Sequence, residues 1–342
     1  MASGRVAAAL VVVLVGSTAV HAAHSRCTVT VAPGGDLQRA VDGAARGATV
    51  CLGAGTFRLR RFVAIERDGV HLRGAGSSTV VQLADGVQSP LVVVGDYRHR
   101  VPAAPVADVT IEALRLVGGG GGGREAAPDR PYLTNSALVV RRGRNVTIRD
   151  VDASACRSAC FLTEHDSRDV TIERCTVSGA TWDGISLNRT ARLRLVGNTI
   201  RDNTAAGVTA EHLEDGVIEY NTIAGNGSHG VYLADSYRNW VGRNRFARNT
   251  NAGVFLTCAV RYRDPGPVLC WDDSMSQANT FEGNVFAGNR LAYQVAADAA
   301  ANCTKPGTKP NVSRDDGFVE NASIEHQPTD FGGCLRYEST SP

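Results

Sequence analysis

The amino-acid sequence predicts an all-β solenoid, in which short strands wind into stacked coils, and three observations lead to this prediction. Glycine contributes 37 of the 342 residues and aromatic residues only 6%, which suits short strands joined by many turns. A glycine motif and an asparagine motif both return every 23 residues, in step with each other. Apolar and polar residues alternate between them, which is typical of strands with one buried face.

The glycine motif occurs in four consecutive segments, which read DGISLN, AGVTAE, HGVYLA and AGVFLT. Their glycines are Gly184, Gly207, Gly230 and Gly253. The asparagines of the second motif are Asn198, Asn221, Asn244 and, after an insertion, Asn284. One coil cannot bury its apolar face alone, so a repeat of this length predicts coils stacked at about 4.8 Å. The asparagines are predicted to form a structural ladder at a turn.

The first 22 residues are predicted to be a secretion signal peptide. A positively charged start is followed by a short apolar run and by small residues at the cleavage position. The run is too short for a membrane span, and no later segment is apolar enough to cross a bilayer. We therefore expect a secreted, extracellular monomer without a membrane span in its mature form. The solenoid domain is predicted for residues 23–300 and a capping tail for residues 301–342.

A short amphipathic helix is predicted over residues 36–46, before the first coil. Leu37 and Val41 lie on its apolar face, Asp36 is the expected N-cap and Gly47 the expected stop. Such a helix would cover the open apolar end of the stack. Two insertions are predicted to leave the stack as loops, at residues 118–131 and 257–278.

The cysteines predict disulfide bonds in an oxidising compartment, because their spacings form no zinc pattern. The expected pairs are Cys27 with Cys51, Cys258 with Cys270, and Cys303 with Cys334. A fourth bridge is expected between two of the three remaining cysteines, with the last one a buried thiol. These three are Cys156, Cys160 and Cys175.

The repeat, the signal peptide and the segment DLQRAV…GATVCLGAGTF resemble the right-handed parallel β-helix proteins of the pectate-lyase-like group, over most of residues 26–300. The resemblance implies a single-stranded right-handed parallel β-helix that binds a polysaccharide in a groove along one sheet. It does not imply one activity, because this fold hosts lyases, hydrolases, epimerases and binding proteins. A formal net charge of +2 without a basic run argues against a nucleic acid as partner.

A ladder of polar residues is predicted at the far end of the glycine-led strands, on successive coils. It consists of Glu164, Arg189, His212 and Asp235. One interpretation is a solvated stack of ion pairs, each worth about 0–1 kcal/mol. In the other, His212 is a general base oriented by Asp235 or Glu211. Arg189 and Asn188 would then hold a substrate carboxylate.

A second polar column stands immediately before the glycines and contains Asp183 and His229. Polygalacturonase-like hydrolases carry Asn-Thr-Asp, Asp-Asp and Gly-His-Gly on such coils, and TWDG and SHG resemble the first and third of these. The middle coil has alanines at 205 and 206, which removes the carboxylates that a glycosidase needs as acid and base. Both residues are expected to bind sugar. The alternative is a turn-forming aspartate and an ordinary surface histidine.

A further similarity is to mannuronan C5-epimerases, whose coils also read DGI and HGI and which carry a His-Asp pair in the groove, here His165-Asp166. Lyases and epimerases of uronates both remove the proton α to a carboxylate, which requires a base, a cation or hydrogen-bond donors, and an acid. The candidates for these roles are His212 or His229, Arg189 with Asn188, and Tyr232. Lyases of this fold often use calcium, for which the candidate ligands are Asp183, Glu211 and Asp235.

The insertion after Thr257 has the composition of a sugar-binding loop, with Arg261 and Trp271 as the expected contacts. The alternative is a disulfide-fixed surface loop without a ligand. The sequence thus predicts a secreted enzyme that acts on acidic polysaccharide, by β-elimination or C5 epimerisation. Two alternatives remain open, which are a glycoside hydrolase of polygalacturonase-like fold and a non-catalytic carbohydrate-binding β-helix protein.

Overall fold

The structure is a computed structural model that describes residues 26–119, 136–261, 269–270, 274–326 and 333–338. The predicted signal peptide and most of the first predicted insertion lie outside these residues. Within the described ranges, no helix is long and apolar enough to cross a membrane.

The chain winds into a right-handed parallel β-helix, as the sequence predicts, and each coil adds one strand to each of three parallel columns. Column A runs through Val29–Val31, Thr49–Leu52, His71–Arg73, Val106–Val117, Gly143–Ser154, Ser167–Glu173, Arg194–Val196, Val217–Glu219, Trp240–Gly242, Thr280–Glu282, Asn311–Arg314 and Leu335–Glu338. Column B runs through Gly55–Leu59, Thr79–Leu83, the second halves of Val106–Val117 and Gly143–Ser154, then Thr176–Ser178, Thr199–Arg201, Thr222–Ala224, Arg245–Ala247, Val285–Ala287 and Gly317–Val319.

Column C contains the glycine-led strands and carries the candidate site. It runs through Val63–Ile65, Val92–Val94, Leu138–Arg141, Phe161–Glu164, Ile185–Ala191, Val208–Glu214, Val231–Ala234, Ala252–Thr257, Leu291–Val295 and Ser323–His326. Outside the columns, Val260–Arg261 pairs with Leu269–Cys270 in an antiparallel hairpin. Helical turns occupy Leu37–Asp42, Gly76–Ser78, Ala297–Ala300 and Ala301–Thr304.

The core consists of ladders, each formed by the residues at the equivalent position of successive coils. In column C, one ladder of fully buried residues consists of Ile185, Val208, Val231 and Val254. A second, two residues further on, consists of Leu187, Ala210, Leu233 and Leu256. Because alternate side chains of a strand point to opposite faces, the residues between these ladders point outward.

The predicted asparagine ladder is present and buried. The Oδ1 atom of each member accepts the backbone and side-chain amides of the member one coil before, as in Asn221 with Asn198 at 2.9 Å each. The ladder continues through Asn244 and Asn284 and ends at Asp316. It is a structural element, since each amide satisfies backbone groups that the turn would otherwise leave unpaired.

Both predicted ends of the solenoid need correction. The cap helix spans only Leu37–Asp42, with Asp36 as its N-cap but Gly43 rather than Gly47 at its C-terminus. At the other end, the sequence predicts that coils stop near residue 300. Strands at Asn311–Arg314, Gly317–Val319 and Ser323–His326 instead add a further coil. The tail lacks the 23-residue spacing, so the repeat was not visible there.

The disulfide pairs agree with the sequence-based expectations. Bridges join Cys27 to Cys51, Cys258 to Cys270, and Cys303 to Cys334, and the fourth joins Cys156 to Cys160. Cys175 is a free, buried thiol whose backbone amide donates to Asn198 at 2.8 Å, at the start of the asparagine ladder.

Cys175 is expected to be unreactive in the folded protein. Burial raises the pKa of its thiol to about 12, so almost none of it is thiolate at neutral pH, and the thiolate is the reactive form. A thiol reagent such as Ellman's reagent should detect no thiol in native protein and one thiol per chain after denaturation without reductant. Rapid labelling of the native protein would contradict the burial of Cys175.

Candidate functional site

The candidate site lies at the corner where the chain leaves column C. Successive coils place a residue with left-handed backbone there, with φ between 45° and 57° for Arg189, His212 and Asp235. Residues other than glycine adopt this conformation at a cost of about 1 kcal/mol or more. Asn188 pairs with Glu211, and Glu211 pairs with Ala234, so the residues that follow them, Arg189, His212 and Asp235, form the predicted ladder on one side of the molecule.

The first member of the predicted ladder is out of register by one residue. Thr163 pairs with Leu187, so Glu164 stands opposite Asn188, and His165 and Asp166 together stand opposite Arg189. This coil has one more residue at the corner than its neighbours, because Ser167 pairs with Thr190. The sequence placed Glu164 beside Arg189, and the extra residue is the reason for the error.

A cleft of about 390 Å³ opens beside this corner, within the size range of small-molecule sites. Its lining consists of Asp166, Arg168, Arg189, Thr190, Ala191, His212 and Glu214. Arg189 binds Asp166 through Nε at 3.0 Å and Nη2 at 2.9 Å, and both side chains are more than half exposed. The cleft thus combines two guanidinium groups with one imidazole and two carboxylates.

His212 is held in one orientation by Asp235. Its Nδ1 lies 2.7 Å from Asp235 Oδ2, and the hydroxyl of Tyr237 donates a hydrogen bond to the other carboxylate oxygen. Asp235 is 6% exposed, whereas the His212 side chain is 44% exposed. The hydrogen bond to Asp235 raises the pKa of His212. Since Nδ1 faces Asp235, Nε2 is the ring nitrogen that can exchange a proton with a ligand.

A second corner, where the chain enters column A, carries arginine–aspartate pairs between successive coils. Arg192 binds Asp169 through two hydrogen bonds of 2.6 Å, and Arg238 binds Asp215 at 2.7 and 3.1 Å. All four residues also have left-handed backbone. The pair of Arg189 and Asp166 matches this pattern, but His212 with its buried carboxylate does not. That difference favours the functional interpretation at the first corner.

The outward face of column C carries polar groups next to the corner. Asn188 Nδ2 donates to Glu211 Oε2 at 3.0 Å. Asp183 is buried beneath this face, where its carboxylate accepts the amide of Ala206 at 3.0 Å and the hydroxyl of Ser186 at 3.2 Å. Burial, reinforced by the charge of Glu211, raises the pKa of Asp183 to about 6.

Asp183 is expected to make stability depend on pH. Its pKa is about 6 in the folded protein against an ordinary value of 3.8, so folding favours the protonated form. The contribution is fully present below about pH 4 and is lost as pH rises through about 6, a change of about 3 kcal/mol. Asp183→Asn keeps the acceptor for Ala206 without the charge. Urea unfolding should show the variant gaining stability relative to wild type between pH 4 and pH 8, and a constant difference would contradict the shift.

His229 is placed differently from the expectation for a catalytic base. It is 8% exposed, its ring stacks on Phe255 at 4.4 Å with an angle of 7°, and Tyr232 lies 6.0 Å away. The amide of Ala252 donates to His229 Nδ1 at 3.4 Å. Burial lowers the pKa of His229 to about 4, so the ring is neutral at pH 7. Its lone pair faces a backbone amide and not the cleft.

At its N-terminal end, the outward face of column C is covered. Val93, Val139 and Leu162 point outward there but are buried, with Phe62 and Tyr97 packed over them. Fully buried Arg141 holds the covering segment, which includes Tyr97, in place. Its guanidinium donates hydrogen bonds to the carbonyl groups of Asp96, His99 and Arg100. The same guanidinium binds Glu164 at 2.5 Å and contacts His165 Nε2 at 3.2 Å. His165 therefore faces the guanidinium of Arg141, which holds the covering segment in place.

Comparison with known proteins assigns a family. A family model described as "Periplasmic copper-binding protein (NosD)" matches residues 132–313, more than half of the chain. The chain belongs to the NosD family. No curated protein matches it.

Solved structures share the fold of this NosD-family chain at low sequence identity. The A-module of a mannuronan C-5 epimerase from Azotobacter vinelandii is 18% identical, with a TM-score of 0.57 over 89% of this chain and 94% of that one. An alginate lyase from Paenibacillus sp. str. FPU-7 is 13% identical, with a TM-score of 0.65 over 88% and 99%. A polygalacturonase from Erwinia carotovora ssp. carotovora is 12% identical, with a TM-score of 0.58 over 91% and 96%. These likenesses establish the fold.

Sequence reasoning missed several residues of the cleft in this NosD-family chain. Arg168, Glu214 and Tyr237 line or support the cleft but were not among the predicted site residues, whereas Asp166 was named only as the partner of His165 in a His-Asp pair. Tyr237 follows the corner residue Asp235, outside the strand Val231–Ala234, so the alternation of a strand gave no signal for it. Of the predicted loop contacts, Trp271 lies outside the described residues. Arg261 lies in the hairpin strand Val260–Arg261.

Proposed function

We propose that this protein is a secreted enzyme that removes the proton α to the carboxylate of a uronate residue in an acidic polysaccharide. The outcome is β-elimination or C5 epimerisation. The observation that carries the proposal is the hydrogen-bonded pair of His212 and Asp235 beside a cleft that also contains Arg189 and Arg168. The proteins that share its fold include an alginate lyase and a mannuronan epimerase, which supports this substrate class.

In the proposed reaction, His212 Nε2 takes the C5 proton of the uronate. Asp235 stabilises the imidazolium that forms, because its carboxylate contacts Nδ1. Arg189 neutralises the substrate carboxylate, on which charge accumulates as the proton leaves. Asp166 already contacts Nε and Nη2 of Arg189, so Nη1 is the nitrogen offered to the ligand.

The electron pair released at C5 has two possible fates. In β-elimination it forms the C4–C5 double bond and expels the glycosidic oxygen at C4, which takes up a proton. In epimerisation C5 takes a proton on the opposite face. Neither tyrosine is assigned as this proton donor, because the hydroxyl of Tyr237 donates to Asp235 and Tyr232 packs against Phe255 on the outward face of column C. In the proposed reaction the proton comes from solvent water.

The family description raises the question of copper. Within the described ranges, no group of three or more His, Cys, Asp or Glu residues is arranged to hold a metal ion. The cysteines there are in disulfides except for buried Cys175, and Met275 is fully buried, so soft sulfur ligands are not offered. The donor set of these described residues does not fit copper, and no step of the proposed reaction passes through it.

A calcium ion as cofactor stays a prediction. Of its candidate ligands, Asp183 accepts bonds from Ala206 and Ser186, Glu211 binds Asn188, and Asp235 binds His212. A calcium ion would therefore need substrate carboxylates to complete its coordination. Activity measured after removal of calcium with EGTA, and again after calcium is restored, tests this prediction.

The proposed reaction is tested by incubation with pectate, alginate and glycosaminoglycan chains. β-Elimination produces the ultraviolet absorbance of an unsaturated uronate, and epimerisation in D2O places deuterium at C5. Arg189→Ala should reduce kcat/KM by about 10- to 100-fold, because a charged hydrogen bond to the substrate is lost. Arg192→Ala is the matched control, since Arg192 is a similarly exposed member of a similar ion pair outside the cleft. The proposal is rejected if no polysaccharide gives either the absorbance or the deuterium incorporation.

A glycoside hydrolase is the second candidate, and Asp183 is the observation that favours it. A carboxyl group with a pKa of about 6 suits a general acid, and exposed Glu211 stands nearby on the same face. Asp183 is only 4% exposed, which counts against contact with a glycosidic oxygen. New reducing ends without unsaturated product, lost in Asp183→Asn, would favour hydrolysis. Saturable binding of a polysaccharide without turnover would favour the non-catalytic alternative.

Export is part of the proposal. Four disulfides among the described residues are consistent with an oxidising compartment, and the predicted signal peptide would deliver the chain there. The predicted monomeric state can be measured by light scattering on the purified mature protein.

A further inference from the structure

We propose that the outward face of column C carries a sugar-binding platform, in which the rings of Tyr232 and Phe255, inclined to each other by 55°, together contact the apolar face of one pyranose residue. This inference takes the substrate class, an acidic polysaccharide, from the proposed function. It adds the place on the protein where the polysaccharide binds. Tyr232 and Phe255 pair in register on adjacent coils, and their ring centroids are 5.0 Å apart. Both rings are partly exposed.

His229 supports the platform from one side. Its ring lies parallel to Phe255 at 4.4 Å, and the Ala252 amide fixes it through Nδ1 at 3.4 Å. Because His229 is almost fully buried, it acts through Phe255 and is a positioning residue. A neutral imidazole suits this role, since a charged ring would be costly at this depth.

The surroundings of the platform favour a sugar over a protein partner. Thr209 lies in register with Tyr232, and Ser186 lies in register with Thr209, so hydroxyl groups continue the same row of outward positions. Exposed Glu211 stands two residues further along the strand. A pyranose presents an apolar C–H face surrounded by hydroxyl groups, and a pair of aromatic rings bordered by polar groups complements both.

The platform lies on the strands that end at the corner beside the cleft. Tyr232 is three residues before Asp235 on one chain segment, which is a distance of about 10 Å along a strand. Toward the N-terminus, the row of outward positions is closed, because Phe62 and Tyr97 cover Val139 and Leu162. The open row therefore begins at Ser186. A polymer with one uronate beside His212 would place a neighbouring residue on Tyr232 and Phe255.

The experiment measures binding separately from turnover. Hexamers of galacturonate, mannuronate and, as a neutral probe, glucose linked β-1,4 are titrated into the full mature protein by calorimetry. Phe255→Ala and Tyr232→Ala should each weaken the tightest-binding hexamer by about tenfold. Tyr220→Ala is the control, since Tyr220 is an exposed tyrosine at a different corner and should leave the affinity unchanged. His229→Ala should weaken binding, and His229→Phe should restore it by replacing the stacked ring.

The outcomes separate this inference from the proposed function. If turnover is found but Phe255→Ala and Tyr232→Ala change neither the dissociation constant nor KM, the platform is rejected and the reaction stands. If no turnover is found but platform-dependent binding is, the reaction is rejected and the platform stands. Binding of no hexamer rejects the platform. Loss of stability without loss of affinity in Phe255→Ala also rejects it.

Discussion

Replacing His212 with alanine is expected to lower kcat by about two to four orders of magnitude on whichever uronate polysaccharide proves to be the substrate. Positioned general bases contribute rate factors of this size, and His212 is held by Asp235 with Nε2 available to the cleft. Substrate binding should change far less, because Arg189 and the rest of the cleft remain. Steady-state kinetics on the variant, with its melting temperature measured in parallel, checks both statements.

The pH profile distinguishes a base from a structural histidine. Hydrogen bonding to Asp235 raises the pKa of His212 above its ordinary value of 6.5, so the active, neutral form accumulates only as pH rises through that raised pKa. Asp235→Asn removes the charge and should move the ascending limb of kcat/KM to lower pH, while lowering its plateau. A limb that stays in place in Asp235→Asn would mean that another group titrates.

A matched histidine provides the control for these measurements. His71 lies on an early coil of column A, and His71→Ala should leave kcat unchanged.

The raised pKa of His212 also makes the stability of the fold depend on pH. Its contribution is present below about pH 6.5 and is lost as pH rises through the folded-state pKa. If His212→Ala retained full activity, the proposed base would be rejected even with the fold intact.

The fold could be predicted from the sequence because each coil repeats the same physical requirements. The 23-residue spacing brings Ile185, Val208 and Val231 into one ladder, and a register error would expose every apolar residue of a strand. The same spacing predicts the asparagine ladder, since each side-chain amide must form hydrogen bonds with the coil before it. The sequence was less informative at the C-terminal end, because Asn311 and Asp316 continue the ladders without the regular spacing.

The candidate site was predictable only in part. Arg189, His212 and Asp235 follow the repeat, so their alignment at one corner could be predicted. Glu164 could not be placed, because one extra residue at its corner shifts the register by a step that the pattern does not reveal.

Burial of polar side chains was also hidden from the sequence. His229 and Asp183 have the sequence context of exposed groups, yet aromatic packing covers the first and neighbouring hydroxyl groups surround the second. Tyr237 was missed because its role depends on a contact with Asp235 that a strand pattern does not encode.

Asn221→Ala is expected to destabilise the protein by about 2–6 kcal/mol, the largest effect on stability that we predict. Asn221 Oδ1 accepts the backbone and side-chain amides of Asn198, and its Nδ2 donates to the carbonyl of Leu195 at 2.8 Å. Alanine leaves two buried donors without this acceptor, at about 1–3 kcal/mol each. The midpoint of urea unfolding measures the effect. Asn188→Ala is the control, since it loses one exposed hydrogen bond and should cost less than about 1.5 kcal/mol.

Asn221→Asp tests why the ladder needs amides in its interior. The aspartate would keep the acceptor for Asn198 but would bring an oxygen against the Leu195 carbonyl and Asn244 Oδ1, where Nδ2 now donates. Asp316 is tolerated because it ends the ladder, where Tyr293 and Ser313 donate to its second oxygen. We therefore expect Asn221→Asp to be at least as destabilising as alanine at pH 7 and to recover partly in acid, when the carboxyl group can donate. An aspartate variant as stable as wild type at pH 7 would show that the donated bonds contribute little.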